Sequence, residues 1–423
     1  MLTGMDRILQ LVDKHPDEPL QTLMHYINKT TLKEVHKRQE TNKASGVDKE
    51  TKTTYDKNLD ENIDNLLARM KTFSYRPQPV RRTYIEKEGK NEARPLGIPA
   101  YEDRLVQGVI AEILDSIYHT KFYDFSYGFR EAMNCHDAIK QLDGLLMGQT
   151  NWVVDADIKG FFDNVDHKWM MKFLAHDIGD KNLLRYITRF LKSGVMEQGK
   201  FKETESGVPQ GGLCSPVMAN VYLHYVLDMW FEIRVKKTSR GMAEMVRYAD
   251  DFVCCFQYED DARNFYKALK ERLAKFGLGL SEDKSQVIKF GRSAGNEAGK
   301  FDFLGFTFVC GKTRNGKFTV KCHSSEKKLK SKRAKVKKWI RQNRHTPIIS
   351  LIKKVNAKLR GHYNYYGLTH NMNKMHGFYK YVRYELFKAL RRRGDKHKLN
   401  WSKFERIEHD SPILRPKITV PLW

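Results

Sequence analysis

Two adjacent aspartates, Asp250 and Asp251, stand between the short apolar runs MVRY and FVCCF. This arrangement predicts a β-hairpin with acidic residues at its turn. Neighbouring carboxylates repel each other, and a bound divalent cation would remove that cost. A solvated hairpin turn is the alternative for an isolated YxDD tetrapeptide, so this pair alone leaves function and plain structure about equally favoured.

A second acidic segment changes that balance. Asp157 ends the apolar run WVVDAD, and acids seldom end a buried strand unpaired. If this strand, predicted over residues 152–158, lies beside the hairpin, Asp157 faces Asp250 and Asp251. Such an oxygen-rich pocket suits two Mg²⁺ ions about 3.5 to 4 Å apart, as nucleotidyl transfer requires. A separation of more than about 10 Å would refute this prediction.

The charge is unevenly distributed along the 423 residues. The chain has 76 Lys and Arg against 51 Asp and Glu, a formal net charge of +25. Residues 311–400 hold 27 of these cations and only three acids, whereas residues 1–310 are balanced at 45 of each. A basic module of this kind predicts a polyanionic partner, and its interleaved aromatic residues favour a nucleic-acid duplex. The alternative is a solvated pair of charged helices.

Hydrophobic periodicity outlines the elements around these acids. Helices are predicted near residues 59–70, 103–117, 135–146, 215–231 and 260–276, and a β-hairpin over residues 80–99. The region after a strand near residues 301–309 is predicted to be helical. The six cysteines include no CxxC pair, and no apolar run is long enough for a membrane span. We therefore expect no zinc site, no membrane partner and a bacterial cytoplasmic location.

Six segments in order resemble the reverse transcriptases of group II introns of bacterial or organellar type. They are RPLGIP (94–99), SYGFR (126–130), DADIKGFFD (155–163), GVPQGG (207–212), YADD (248–251) and FLGF (303–306). The segment LRGHYNYYG (359–367) resembles the thumb, or maturase X region, of that family, with His362 where tryptophan is common. The proline that commonly follows GFR is absent here, and by the same resemblance we expect a short form without the HNH endonuclease of longer members and with a missing or reduced DNA-binding region.

The resemblance implies an α+β fold, that of a right-hand polymerase. Its parts are an N-terminal helical extension (1–43), fingers (44–130), a palm with an antiparallel sheet (131–310), a helical thumb (311–400) and a tail (401–423). The implied activity is RNA-directed DNA polymerisation from dNTPs on an RNA template, with two Mg²⁺ ions for which Mn²⁺ is expected to substitute. The implied partners are the RNA/DNA duplex and the group II intron RNA, whose splicing the protein would assist as a maturase.

Site residues follow from the same resemblance. The metal ligands are Asp157, Asp250 and Asp251 with the carbonyl of Ile158; the dNTP site is Lys87, Arg94, Phe162 as sugar gate and Gln210; the primer grip is Leu304, Gly305 and Phe306. The role of Lys284 stays open. Nucleic-acid contacts are predicted for Lys335, Lys337, Lys338, Lys353, Lys354, Arg360, Tyr363 and Tyr365.

Three alternatives remain at this level. A host-adopted relative in defence or repair would have the same chemistry with another RNA. A splicing factor without catalysis is disfavoured, because a decayed polymerase has no reason to retain three converging carboxylates. An RNA-copying RNA polymerase is disfavoured by Phe162, whose ring would exclude a 2′ hydroxyl.

Overall fold

The computed structural model describes residues 4–86, 93–393 and 399–422. The chain forms two compact units. The first comprises residues 4–86, 93–138 and 152–287, and the second comprises residues 139–151, 288–393 and 399–422. Helices and strands are mixed throughout both units, which confirms the predicted α+β class.

The first unit begins with a group of helices. These helices are α1 (Gly4–Lys14), α2 (Lys29–Arg38), α3 (Lys52–Tyr55), α4 (Leu59–Lys71) and α5 (Tyr101–Tyr118). Among them, α1 and α2 pack on α5. The spacing of Ile63, Leu66 and Met70 places all three on the buried face of α4. α5 is buried on most sides, and its buried residues include the polar Asp103, Arg104 and Gln107 as well as its apolar side chains.

A small four-stranded sheet contains the predicted hairpin. Its strands are β1 (Val80–Glu86), β2 (Ala93–Ile98), β4 (Val195–Glu197) and β5 (Lys200–Lys202), in the order β2-β1-β4-β5. β1 and β2 are antiparallel, with Arg82 opposite Gly97 and Ile85 opposite Arg94.

The central sheet brings the two acidic segments together. It contains β3 (Trp152–Asp157), β6 (Ala243–Tyr248), β7 (Asp251–Phe256) and β8 (Gln286–Lys289), in the order β6-β7-β3-β8. β7 lies between β6 and β3, antiparallel to both, and its residues 252–256 are fully buried. A central strand covered on both faces requires this unbroken apolar run.

Further helices follow α5 along the chain. They are α6 (Cys135–Met147), α7 (Phe161–Asn164), α8 (His167–Asp177), α9 (Lys181–Leu191), α10 (Ser215–Leu223), α11 (Lys236–Thr238) and α12 (Glu259–Lys275). Among them, α12 packs against β3 and β7 of the sheet. α10 and α11 belong to one long helix that contains two π-helical segments, His224–Asp228 and Phe231–Val235. It therefore extends beyond the predicted end near residue 231. A π turn adds one residue to the turn and changes which side chains face the sheet.

The second unit corrects the prediction that the chain is helical after residue 310. β9 (Lys300–Phe303), β10 (Phe306–Lys312) and β11 (Phe318–Ser324) form an antiparallel sheet in the order β11-β10-β9. Val320, Cys322 and Ser324 are buried at alternate positions of β11, the periodicity of a strand with one covered face. The helical part then follows as α13 (Glu326–Gln342), α14 (Ile348–Tyr366), α15 (Met372–Arg391) and α16 (Trp401–Asp410).

None of the helices in the described part of the chain combines the length and the apolar character needed to cross a lipid bilayer.

Candidate active site

The three predicted catalytic acids lie at the ends of neighbouring strands. Asp157 is the last residue of β3 and Asp251 is the first residue of β7, and the sheet register pairs them directly. Directly opposed residues of antiparallel strands have Cα atoms about 4.5 to 5.5 Å apart, well inside the 10 Å limit. Asp250 occupies the turn between β6 and β7, after Ala249, whose φ of +57° is in the left-handed region. The sheet therefore brings together what the sequence separates by more than 90 residues.

The electrostatics of Asp250 indicate uncompensated negative charge. Burial raises the pKa of the Asp250 carboxyl, and the nearby charge of Asp157 raises it further. A backbone hydrogen bond and the cations of Arg94 and Arg247 act in the opposite direction but do not cancel the increase. A buried carboxyl whose ionised form is penalised by burial and by a neighbouring carboxylate is a setting in which a divalent cation binds favourably.

The donor set fits hard divalent cations, because it consists of carboxylate oxygens. In the described ranges 4–86, 93–393 and 399–422, no three His, Cys, Asp or Glu side chains are gathered closely enough to form a finished metal centre. The carboxylate of Asp157 is paired with a cation, because its Oδ2 accepts a hydrogen bond of 2.5 Å from the Lys284 ammonium. Both side chains are about half exposed, so this ion pair can rearrange at small cost.

Lys284, whose role the sequence left open, is therefore a direct neighbour of the predicted catalytic acids. Its segment is fastened to the end of β3, because the Asp157 carbonyl accepts from the backbone N–H of Ser281 (2.8 Å) and the Ser285 hydroxyl accepts from that of Asp157 (3.2 Å). Ile158, predicted to offer its carbonyl to metal, is buried and forms an isolated bridge with Leu280.

Phe162 and Gln210 line one cavity of about 280 Å³. Phe161 is buried at 2% exposure, whereas Phe162 is half-buried against it, so Phe161 is the core residue of the pair. The loop that carries Gln210 is tied to α7, since the backbone N–H of Val208 donates to the Phe162 carbonyl at 2.7 Å. The structure thus brings these two predicted dNTP-site residues together.

The same loop lies against β2. Gly97 N–H donates to the Gln210 carbonyl at 2.6 Å, and a Cβ on Gly211 would lie 2.5 Å from the Gly97 carbonyl oxygen. Gly211 has φ +118°, so both its backbone and its surroundings require glycine. Arg94, also on β2, is exposed and close enough to influence the pKa of Asp250. Lys87, its predicted partner, lies outside the described residues.

The predicted primer grip is the turn between β9 and β10 in the second unit. Leu304 and Gly305 have φ values of +49° and +79°, and the Phe306 side chain is buried. The Tyr365 hydroxyl donates to the Leu304 carbonyl at 2.8 Å, and its ring stacks on Phe306. Tyr365, predicted to contact nucleic acid, is thus also a support of this turn.

The predicted nucleic-acid contacts of the second unit differ in exposure. Exposed positions are Lys335, Lys338, Lys353, Lys354 and Arg360. Lys337 is half-buried, 4.0 Å from Glu385. Tyr363 is 2% exposed and its hydroxyl donates to the Leu414 carbonyl, so its side chain belongs to the core and the structure does not support the predicted contact.

Comparison with known proteins agrees with this geometry. Residues 85–308, more than half of the chain, match the family model described as reverse transcriptase (RNA-dependent DNA polymerase). Residues 329–406 match the maturase-specific domain of group II introns. The chain belongs to the group II intron-encoded reverse transcriptases. This reverse transcriptase is an RNA-directed DNA polymerase that carries a maturase domain.

Its relatives include proteins of bacteria and fungi. It is 28% identical to the group II intron-encoded protein LtrA of Lactococcus lactis subsp. cremoris, over 94% of this chain and 78% of the relative. It is 29% identical to protein YkfC of Escherichia coli, over 65% of this chain and 78% of that protein. An uncharacterized 91 kDa protein in the cob intron of Schizosaccharomyces pombe is 34% identical over 40% of this chain and 21% of its own length.

Proposed function

We propose that this reverse transcriptase extends a primer on an RNA template with dNTPs, using two Mg²⁺ ions held by Asp157, Asp250 and Asp251. The observation that carries this proposal is the register of the central sheet, which pairs Asp157 with Asp251 beside the acidic turn. The pKa of Asp250, raised by burial and by Asp157, supports it further, because a cation would offset that repulsion.

Asp157, Asp250 and Asp251 would hold the two ions, which when bound would lower the pKa of the attacking 3′ hydroxyl and neutralise charge on the leaving pyrophosphate; Mn²⁺ is expected to substitute for Mg²⁺. The protein's contribution is to hold carboxylate oxygens, and the proposed carbonyl of Ile158, on a rigid sheet. Burial of residues 252–256 makes that sheet a firm base. Phosphoryl transfer depends almost entirely on such positioning and on electrostatics.

We assign nucleotide selection to β2, α7 and the loop of Gln210. Arg94, with Lys87, would bind the triphosphate, for which an exposed guanidinium near the acids is suited. The half-buried Phe162 ring would lie under C2′ of the incoming sugar and exclude a 2′ hydroxyl. Gln210 shares its cavity and would contact the nascent base pair.

We assign the RNA/DNA duplex to the basic helices of the second unit, which correspond to the predicted thumb. Exposed cations on α13 and α14 offer contacts to phosphates that do not depend on sequence. The turn 304–306 would hold the primer end. On this scheme the fingers, palm and thumb keep the boundaries predicted at residues 130 and 310.

The metal assignment is tested with Asp250→Asn, which keeps the shape of the side chain and removes its charge. We expect primer extension on RNA to be abolished while affinity for the primer–template stays within a few-fold of wild type. Asp260→Asn is the matched control, because Asp260 is an exposed aspartate on α12 and should tolerate the change. Undiminished extension by Asp250→Asn would refute the assignment, and equal loss of RNA binding would indicate a structural role.

We further propose that the RNA recognised in the cell is a group II intron and that the protein assists its splicing. The match to the maturase-specific domain supports this role, and the bacterial relative LtrA supports the predicted bacterial cytoplasmic location. The DNA that flanks the gene provides the test. An intron RNA fold around the coding region is expected, whereas flanks without one would favour a host function.

A further inference from the structure

Arg247 is a fully buried cation two residues before the catalytic turn, which Ala249 and Asp250 form. It lies on β6, and its side chain is 0% exposed. Its guanidinium forms an ion pair with Asp228 through Nε and Nη2; the Nε bond to Oδ1 measures 2.7 Å. Asp228 is also 0% exposed. Burying two charges is costly and often gains little stability over an apolar pair, so general stability alone does not account for this pair.

The remaining N–H groups of Arg247 indicate a specific task. Nη1 donates to the carbonyl of Ala249 at 2.9 Å and to Oδ1 of Asn220 at 3.1 Å, while Nη2 donates to the Ser126 hydroxyl at 2.7 Å. The guanidinium therefore connects the catalytic turn to Asp228 and Asn220 of the long helix and to Ser126. Only a planar group with five donors can bind all four at once.

The segment SYGFR, which the proposed chemistry leaves without a role, completes this support. The backbone N–H of Arg247 donates to the Phe125 carbonyl, and the Arg247 carbonyl accepts from Tyr127, both at 2.8 Å. Nδ2 of Asn220 donates to the Gly128 carbonyl at 2.6 Å. A Cβ on Gly128 would lie 2.2 Å from the Ala249 nitrogen, so the two backbones are in direct contact.

The turn itself requires such support. Ala249 is held at φ +57°, a conformation that a residue with a Cβ adopts only when its surroundings impose it. Asp228 ends a π-helical segment, where the additional residue of the turn sets the position of its carboxylate. The hydrogen bond from Nη1 to the Ala249 carbonyl thus acts on the peptide bond that leads into Asp250.

We propose that Arg247, oriented by Asp228, Asn220 and Ser126, is a positioning residue that fixes the catalytic turn in the geometry that metal binding needs. The inference rests on the proposed role of Asp250 and Asp251. Arg247 does not contact substrate; it acts through the backbone of Ala249. A misplacement of about 1 Å at a reacting centre can reduce the rate by about 100-fold.

The test is Arg247→Lys, which retains the positive charge beside Asp228 but replaces a five-donor plane with a point charge. We expect kcat of primer extension to fall 10- to 100-fold and the half-saturating Mg²⁺ concentration to rise at least threefold. Affinity for the primer–template should change less than twofold. Ser126→Ala, which leaves the ion pair intact, should lower kcat about threefold with a metal shift in the same direction.

Arg272→Lys is the matched control. Arg272 donates to the carbonyls of Val226 and Tyr225, at 2.8 and 3.0 Å, and so binds the same long helix without contacting the turn. We expect it to lower the melting temperature while leaving kcat and the Mg²⁺ dependence unchanged, because loss of general stability does not displace Asp250.

Two results would overturn the proposal. One is a kcat for Arg247→Lys within twofold of that of Arg272→Lys; the other is an unchanged Mg²⁺ dependence in Ser126→Ala, the variant that serves if Arg247→Lys does not fold. Failure of the underlying assignment is distinguishable, because Asp250→Asn would then extend primers normally. If Asp250→Asn is inactive and Arg247→Lys is fully active, the catalytic assignment stands and the positioning role falls.

Discussion

The buried imidazole of His362 makes the stability of the second unit depend on pH. His362 is 4% exposed on α14, its ring packs 4.1 Å from that of Phe378 and 4.8 Å from that of Tyr366 (centroid distances), and neither ring nitrogen has a hydrogen-bond partner among the described residues. Burial, with a smaller effect from the Lys332 cation, lowers the pKa of His362 from 6.5 to about 3. The folded protein therefore disfavours the protonated ring.

The size of the pH effect on the free energy of unfolding follows from the difference in proton binding between the folded and unfolded chain. The unfolded chain binds a proton below about pH 6.5, whereas the folded chain does so only near pH 3, so acid favours unfolding across this window. The His362 contribution to the free energy of unfolding is complete at pH 7.5 and is lower by about 2 kcal/mol at pH 5.0. His362→Phe removes this dependence. At pH 7.5 it should also stabilise the protein by about 1 to 2 kcal/mol, because two unpaired buried ring nitrogens disappear.

The assay is urea unfolding followed by circular dichroism at pH 7.5, 6.5, 5.5 and 5.0. We expect the free energy of unfolding of His362→Phe to exceed that of wild type by a margin that grows by about 2 kcal/mol from pH 7.5 to 5.0. Phe404→Leu is the control, since it removes a buried ring of the second unit that packs on Phe387 and Trp401 and not on His362, and its difference from wild type should be constant. A constant difference for His362→Phe would refute the reasoning.

Three further predictions concern the proposed site and the duplex. Phe162→Ala should accept NTPs at least tenfold better relative to dNTPs, as measured by kcat/KM for each class, because the ring that would occupy the 2′ position is gone. Lys284→Met should lower the half-saturating Mg²⁺ concentration about two- to fivefold, since its ammonium competes for the carboxylate of Asp157 at a half-exposed site. Lys354→Gln should weaken binding to RNA/DNA duplexes of any sequence alike and reduce the slope of log affinity against log salt by about one. Lys236→Gln is the control for that measurement, because Lys236 is paired with acids on both sides.

Each of these predictions has a contrary outcome. NTP use by wild type that is unchanged in Phe162→Ala would remove the sugar-gate role. A higher Mg²⁺ requirement in Lys284→Met would mean that the lysine helps to organise the acids. An unchanged salt slope in Lys354→Gln would place the duplex on another face of α14.

Local patterns were sufficient for the elements around the site. Alternating apolar runs on both sides of Ala249 predicted the β6–β7 hairpin, and the structure confirms it together with the helix at 259–275. The meeting of Asp157 with the acidic turn was expected on the condition that its strand lies beside the hairpin, and the register of the sheet fulfils that condition by pairing Asp157 with Asp251. Such inferences succeed when a group, such as a carboxylate at the end of a buried strand, is stable in only a few kinds of surroundings.

The rest depended on contacts between distant positions. Nothing local indicates that Lys284 bonds to an acid 127 residues away. The basic composition after residue 310 obscured the alternation in FTVKCHS, so a strand was predicted as helix. Arg247 could have been noticed as the single cation in MVRY, but its partner Asp228 lies 19 residues away at the end of a π-helical segment, which no local pattern reveals. Tyr363 shows the reverse case, in which an aromatic residue beside cations packs inward.

The turn 304–306 is held from several sides within the second unit. The Tyr365 hydroxyl bonds to the Leu304 carbonyl, the backbone N–H of Ser325 donates to the Gly305 carbonyl at 3.0 Å, and a Cβ on Gly305 would lie 3.2 Å from the Tyr366 hydroxyl. Because of these hydrogen bonds and close contacts, the loop has little freedom to move independently of α14. A change in the tilt of α14 on binding nucleic acid would therefore move the loop with the helix.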